Sequence, residues 1–192
     1  MNLRFLSPAL ALVFASMVAP AQTSRWIPDQ AHSEVDFSIL HMSLSNVHGR
    51  FGDVAGSIVL NKADIDHSAV KITIGVGSID TGVSARDTVL KSSSFFDVDK
   101  YPTATFTSSK VEKVAGGLNV TGNLELHGVT RPVVLHVEGP TGPVTGMDHK
   151  PHDGYSAETT INRKDFGIGP SFPSSIVGDD VKLTMDLEVV EQ

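Results

Sequence analysis

Apolar and polar residues alternate with a period of two in segment after segment of this chain, and that period puts successive side chains on opposite faces of an extended strand. The carboxy-terminal run is the clearest case: Val181, Leu183, Met185, Leu187 and Val189 alternate with Lys182, Thr184, Asp186 and Glu188. In an earlier run Val35, Phe37, Ile39 and His41 share one parity, against Glu34, Asp36 and Ser38. Val70, Ile72, Ile74 and Val76 repeat the pattern, as do Leu118, Val120, Leu124 and Leu126 around Gly122. Further strands are expected near residues 51–60, 103–111, 129–138 and 154–161, which makes eight.

Short turns join several of these runs. Ala115-Gly116-Gly117 and His127-Gly128 both suit tight hairpins. Sequential short strands of this kind read as antiparallel, so a closed barrel or a sandwich is expected rather than an α/β fold. Two connections are too long for hairpins. In the first, residues 77–102, Asp80 and Thr81 can cap a short helix from Val83 to Lys91, between the third and fourth strands. Phe95 and Phe96 follow as an aromatic pair, and Tyr101-Pro102 imposes an extended entry into the next strand. The second, residues 162–180, carries Gly167, Gly169, Pro170 and Pro173 and reads as a long irregular loop before the last strand.

The chain has no Cys among its 192 residues, which removes disulfides, thiol nucleophiles and Cys-based metal sites. Its 15 Lys and Arg stand against 22 Asp and Glu, a formal charge of −7. That balance argues against nucleic acid and against electrostatic docking on anionic lipid, both of which need clustered cations. Arg4, an apolar run from Phe5 to Val18 and the small-x-small site Ala19-Pro20-Ala21 read as a secretory signal peptide over residues 1–21. Residues 22–192 then form one exported domain, periplasmic or extracellular, with no stable membrane insertion after cleavage.

Motifs for catalysis are missing: the sequence contains no GxSxG elbow, no HExxH and no Cys nucleophile, so no enzyme and no cofactor are expected. Asp148-His149-Lys150-Pro151-His152-Asp153 packs imidazoles and carboxylates together, but Lys150 and Pro151 suit a solvated turn equally well, and no metal is expected there. An eight-stranded barrel is wide enough to be filled by side chains or to hold one slender ligand. A lining of Val, Ile and Leu suits an alkyl or isoprenyl tail, because each buried methylene contributes about 0.8 kcal/mol.

A set of short motifs runs from Trp26 to about Val189. It includes His32-Ser33, Gly49-Arg50-Phe51, Ser78-Ile79-Asp80-Thr81, Arg86-Asp87, Phe95-Phe96-Asp97, His127-Gly128-Val129-Thr130-Arg131-Pro132 and Asn162-Arg163 with Asp165-Phe166-Gly167. In order and spacing these resemble the YceI-like family. The resemblance implies an all-β fold, an eight-stranded antiparallel lipocalin-like β-barrel, enclosing a tunnel for an isoprenoid quinone, a polyprenyl phosphate or another long-chain lipid. The strand positions expected to meet such a ligand are Phe37, Ile39, His41, Phe51, Ile72 and Ile74, followed by Phe106 and Leu124. Arg86, Phe95, Phe96 and Phe166 are expected at the end of the tunnel. Arg86 could meet an anionic head group, its planar fork suiting phosphate or carboxylate, or could pair with Asp87 to pin the helix. Thr88 stands where the family often has a His after Arg-Asp, which leaves head-group preference open. Two other readings remain: an enzyme or stress-response factor that uses His41, Arg86 and Asp87 on a small apolar substrate, and a filled barrel that binds a protein partner. A homodimer, edge to edge or mouth to mouth, is also open.

Overall fold

The computed structural model describes residues 23–192, so the expected signal peptide lies outside the described residues. The strands are β1 (Thr23–His41), β2 (Ser45–Phe51), β3 (Val54–Asn61), β4 (Ala69–Gly75), β5 (Ile79–Asp80), β6 (Thr103–Val114), β7 (Gly117–Leu126), β8 (Val129–Glu138), β9 (Val144–Thr145), β10 (Pro151–Asn162) and β11 (Val177–Glu191). One helix, α1 (Ser84–Lys91), stands between β5 and β6. Eight of the strands close into an antiparallel ring in the order β1, β3, β4, β6, β7, β8, β10, β11. The ring shuts where β11 returns to β1, with Val35 opposite Met185, Phe37 opposite Leu183 and Ile39 opposite Val181. The eight-stranded lipocalin-like barrel expected from the sequence is the fold observed.

The alternation has the consequence that its period demands. Val35, Ile72, Val120, Leu124 and Val189 are all buried on one face of the sheet, and that face is the inside of the barrel. Two register shifts adjust the parity. In β1, pairing to β11 breaks between Pro28 and Ser33, so the inward residues change from even (Trp26) to odd (Val35, Phe37). In β6 a shift between Ser108 and Lys110 carries the inward set from Ala104 and Phe106 to Val111.

Three sequence expectations are corrected. The strand expected over 51–60 is two: β2 ends at Phe51 and β3 begins at Val54. β2 was missed because its inward parity reads Val47, Gly49, Phe51, and the glycine interrupts the apolar run. That glycine is required by the partner strand, since a Cβ at Gly49 would lie 2.4 Å from Cζ of Phe37, directly opposite. Second, neither Asp80 nor Thr81 caps α1, which begins one residue later than expected, with Val83 at the N-cap and no side-chain cap. Asp80 instead accepts from the Gly82 amide, and Asp87 reaches back from inside the helix to accept from the amide and hydroxyl of Thr81. Third, the last strand starts at Val177, four residues earlier than its alternation suggested.

The closed end of the barrel is plugged by Trp26, Ile58, Leu60, Tyr155 and Val189. Trp26 is only 1% exposed, and burial pushes the Tyr155 phenol up to about 12, with the Asp153 charge adding to the effect. The two strands β3 and β4 approach so closely that Gly56, at φ +149°, leaves no room for a side chain: a Cβ would lie 2.1 Å from the Lys71 carbonyl oxygen. Gly56→Ala is expected to cost about 1–3 kcal/mol through backbone strain, read as a lower midpoint in chemical denaturation. A midpoint equal to that of the parent chain would show that the strands can separate freely there.

Candidate functional site

The barrel is hollow. Its inward residues enclose a chamber of about 290 Å³ toward the open end and a smaller one of about 100 Å³ nearer the plug. Val35, Ile74, Leu124 and Leu183 line both, so the two chambers adjoin across a waist made by one residue from each of β1, β4, β7 and β11. The upper chamber alone is at the low end of the size range for small-molecule sites, and its lining is almost wholly aliphatic and aromatic.

Nine of the twelve residues singled out from the sequence line the upper chamber. Phe37, Ile39 and His41 come from β1, Phe51 from the end of β2, Ile74 from β4 and Leu124 from β7. Arg86, Phe95 and Phe96 come from α1 and the segment after it. Ile72 and Phe106 line the lower chamber. Phe166 lines neither: it is buried in the main core cluster, and its carbonyl accepts a hydrogen bond from Nδ1 of His127, 3.0 Å away. His127 and Gly128, both at positive φ, form the tight β7–β8 turn that aims this imidazole. The His127-Gly128 and Asp165-Phe166-Gly167 motifs are thereby joined as one structural contact. His41 sits exposed at the rim and is not an interior histidine.

The open end is covered from two sides. From one side come α1 and the Phe95-Phe96 pair, whose Phe96 ring packs edge-on against Phe51 with centroids 5.9 Å apart. From the other comes the 163–176 segment, which brings Phe172 to 4.6 Å from Phe95. Phe172 carries no periodic signal because it lies in an irregular connection, yet it lines the chamber with Ile168 and Arg163.

Two arginines line the chamber, and they differ in how far their donors are used. Arg163 has a side chain only 3% exposed. Its Nε donates to the Gly178 carbonyl, Nη1 to Ile168 and Gly169, and Nη2 to Phe172, Val177 and the Asp179 carboxylate. All five guanidinium N–H groups are engaged. It gathers the carbonyls of the covering segment around one cation; the Ser174 hydroxyl, then Lys164 and last Arg163, hold the Asp179 carboxyl below its usual range. Arg86 is different: Nε donates to the Thr81 hydroxyl at 2.8 Å and Nη2 to the Thr81 carbonyl at 2.9 Å. It does not pair with Asp87. Both side chains converge on Thr81 instead, and among the described residues no carboxylate lies within ion-pair distance of Arg86. Nη1 and one N–H of Nη2 therefore have no protein acceptor at the wall of an apolar chamber.

An apolar fringe continues the chamber outward. Leu40 and Val89 line the cavity and are also exposed, and beyond them Met42, Leu44 and Ile176 are exposed as well, Leu44 at 81%. The Met42 amide donates to the Ile176 carbonyl, which ties the β1–β2 turn to the covering segment.

The sequence matches the YceI-like domain across residues 26–189. Protein YceI of Salmonella newport is 35% identical over 187 residues, covering 95% of this chain and 94% of that protein. Among solved structures, the Campylobacter jejuni YceI protein superposes with a TM-score of 0.71 at 33% identity, covering 80% of this chain and 90% of that one. A polyisoprenoid binding domain from Saccharophagus degradans shares the fold at a TM-score of 0.65 and 17% identity, covering 88% of this chain and 98% of that one.

Replacing Arg163 by Gln strands several buried carbonyls and should lower stability by about 3–5 kcal/mol, seen in thermal unfolding, whereas Arg86→Gln should cost far less. Equal losses from the two substitutions would contradict the distinction drawn between them.

Proposed function

Because the chain belongs to the YceI-like family, we propose that it is an exported carrier that sequesters a polyisoprenoid, an isoprenoid quinone or polyprenyl phosphate, in the barrel. The observation that carries this reading is the pair of apolar chambers adjoining at a waist, with unengaged Arg86 donors at the wall of the upper one. A tail would thread from the upper chamber past Ile74 and Leu124 toward the Trp26 plug. Its burial would supply most of the affinity, at about 0.8 kcal/mol for each methylene. The head group would stay near Arg86, where a charge-assisted hydrogen bond contributes roughly 1.5–3 kcal/mol. Quinone carbonyls and phosphate oxygens are both acceptors that suit a guanidinium fork.

Binding rather than catalysis is favoured by the polar groups present. Among the described residues, the ionisable side chains that line the chamber are His41, Arg86 and Arg163, and Arg163 is fully engaged. No nucleophile and base are brought together there. Export is supported by the amino-terminal charge, apolar run and small-x-small site. The fringe of Leu40, Met42 and Leu44 continues the apolar surface to the outside, so a tail could enter or leave without crossing open water.

Equilibrium binding of prenyl chains of one length, ending in alcohol, quinone or phosphate, tests this reading. The parent chain should prefer quinone or phosphate over alcohol, and Arg86→Gln should reduce that preference by roughly tenfold, the equivalent of about 1.4 kcal/mol, with alcohol affinity unchanged. Ile74→Trp at the waist should shorten the longest tail accepted. No affinity for any prenyl chain would reject the carrier, and an unchanged head-group preference in Arg86→Gln would reject the role given to that residue.

A further inference from the structure

At the closed end of the barrel, on its outer face, three neighbouring strands bring together a cluster that the cavity does not use. The interruption in β1 between Pro28 and Ser33 turns Asp29 and His32 outward, and Nδ1 of His32 lies 3.2 Å from Oδ2 of Asp29. β10 supplies His152 and β11 supplies Glu188, with His152 Nδ1 2.7 Å from Glu188 Oε1. On the other edge of the ring, His152 Nε2 lies 2.9 Å from Asp148 Oδ1 in the loop before β10. Asp29, His152 and Glu188 each present one ligand atom, and the three atoms lie within 4.8 Å of one another.

The His152 ring is held rather than left loose. Its side chain is only 13% exposed, and the loop closes on it so tightly that a Cβ at Gly146 would sit 2.5 Å from Nε2. Both ring nitrogens face carboxylates, Nε2 toward Asp148 and Nδ1 toward Glu188; an ion bound at Nδ1 would displace the proton shared with Glu188 and leave Nε2–H donating to Asp148. A carboxylate behind the far nitrogen of a metal-binding imidazole is the arrangement that orients the ring and raises its basicity.

We propose that Asp29, His152 and Glu188 bind a divalent transition-metal ion of the zinc class, with Asp148 orienting the imidazole from behind. Three protein ligands leave a position for water or for His32, which is already hydrogen-bonded to Asp29. An imidazole in the set disfavours calcium and magnesium, which take oxygen ligands. The ion would join β1, β10 and β11 where the register shift interrupts β1–β11 pairing, in a chain that has no cysteine to form a disulfide. His152 is the one member of the six-residue His-containing loop segment that the fold brings to the other two ligands; the sequence offered no link to Asp29 or Glu188, more than a hundred residues and some thirty-five residues away respectively.

Calorimetric titration of the untagged, chelator-treated full chain with zinc chloride tests the proposal, with thermal unfolding measured in parallel. A single saturable site is expected, together with a rise in melting temperature. Asp29→Asn and Glu188→Gln, which preserve shape, should each weaken binding at least tenfold, while His136→Gln on β8, an exposed imidazole paired with Asn119, should leave it unchanged. Circular dichroism of the metal-free variants separates loss of binding from loss of fold, and Asp29→Asn, which alters a partly exposed side chain, is the variant least dependent on that control. Absence of saturable uptake, uptake that survives both ligand substitutions, or an equal response to calcium would overturn it.

Discussion

Everything in this molecule depends on the return of β11 to β1. Until that seam forms, the sheet has two open edges, and the apolar faces of its strands have only water on one side. Pairing of Val35, Phe37 and Ile39 with Met185, Leu183 and Val181 shuts the ring and turns those faces into an interior. Closure also removes the unpaired edges that would invite aggregation. With eight strands the enclosed space is small, so whether it is filled or hollow is decided by a few side chains. Glycines on inward parity, Gly49 opposite Phe37 and Gly122 beneath the Phe106 ring, let large rings lie flat against the wall instead of crossing the centre.

The two ends of the barrel are built on different principles. The closed end is packed by a cluster with Trp26 and Tyr155 in it, and only the smaller chamber lies against that cluster. The open end is covered by backbone that has no partner strand, and such backbone must satisfy its carbonyls in another way. Arg163 does this for the 163–178 segment by accepting none and donating to five carbonyls. Arg86 stands across the same chamber with only Thr81 as acceptor. One cation therefore organises the cover, and the other is available to whatever enters beneath it.

Much of the barrel was legible in the sequence because period-two alternation and burial are two views of one constraint. The β11 run and the β7 run occupy the faces that their parity assigned them. Legibility failed where the chain departs from that period for a tertiary reason. β2 was hidden because Gly49 must be small to admit Phe37, a contact made only after β1 and β2 pair. The helix start was misplaced because Asp87 caps Thr81 from inside the helix, the reverse of the direction that Asp80 and Thr81 suggested. At the candidate site, strand positions such as Ile74 and Leu124 could be read from parity. Phe172 and Arg163 could not, since irregular segments carry no period and their contacts are set by the fold. Phe166, expected at the tunnel with the family motif that contains it, instead sits in the main core cluster without lining either chamber, its carbonyl held by His127.

The central claim is that the barrel is hollow so that it can hold a long apolar chain. The most direct measurement is mass spectrometry of an organic extract from protein purified under native conditions, without detergent, from the cells that produce it. The account predicts a prenyl lipid at close to one molecule per chain, diminished when the waist is blocked. Repeated extracts with no lipid above the level found with an unrelated protein, from folded material, would contradict it.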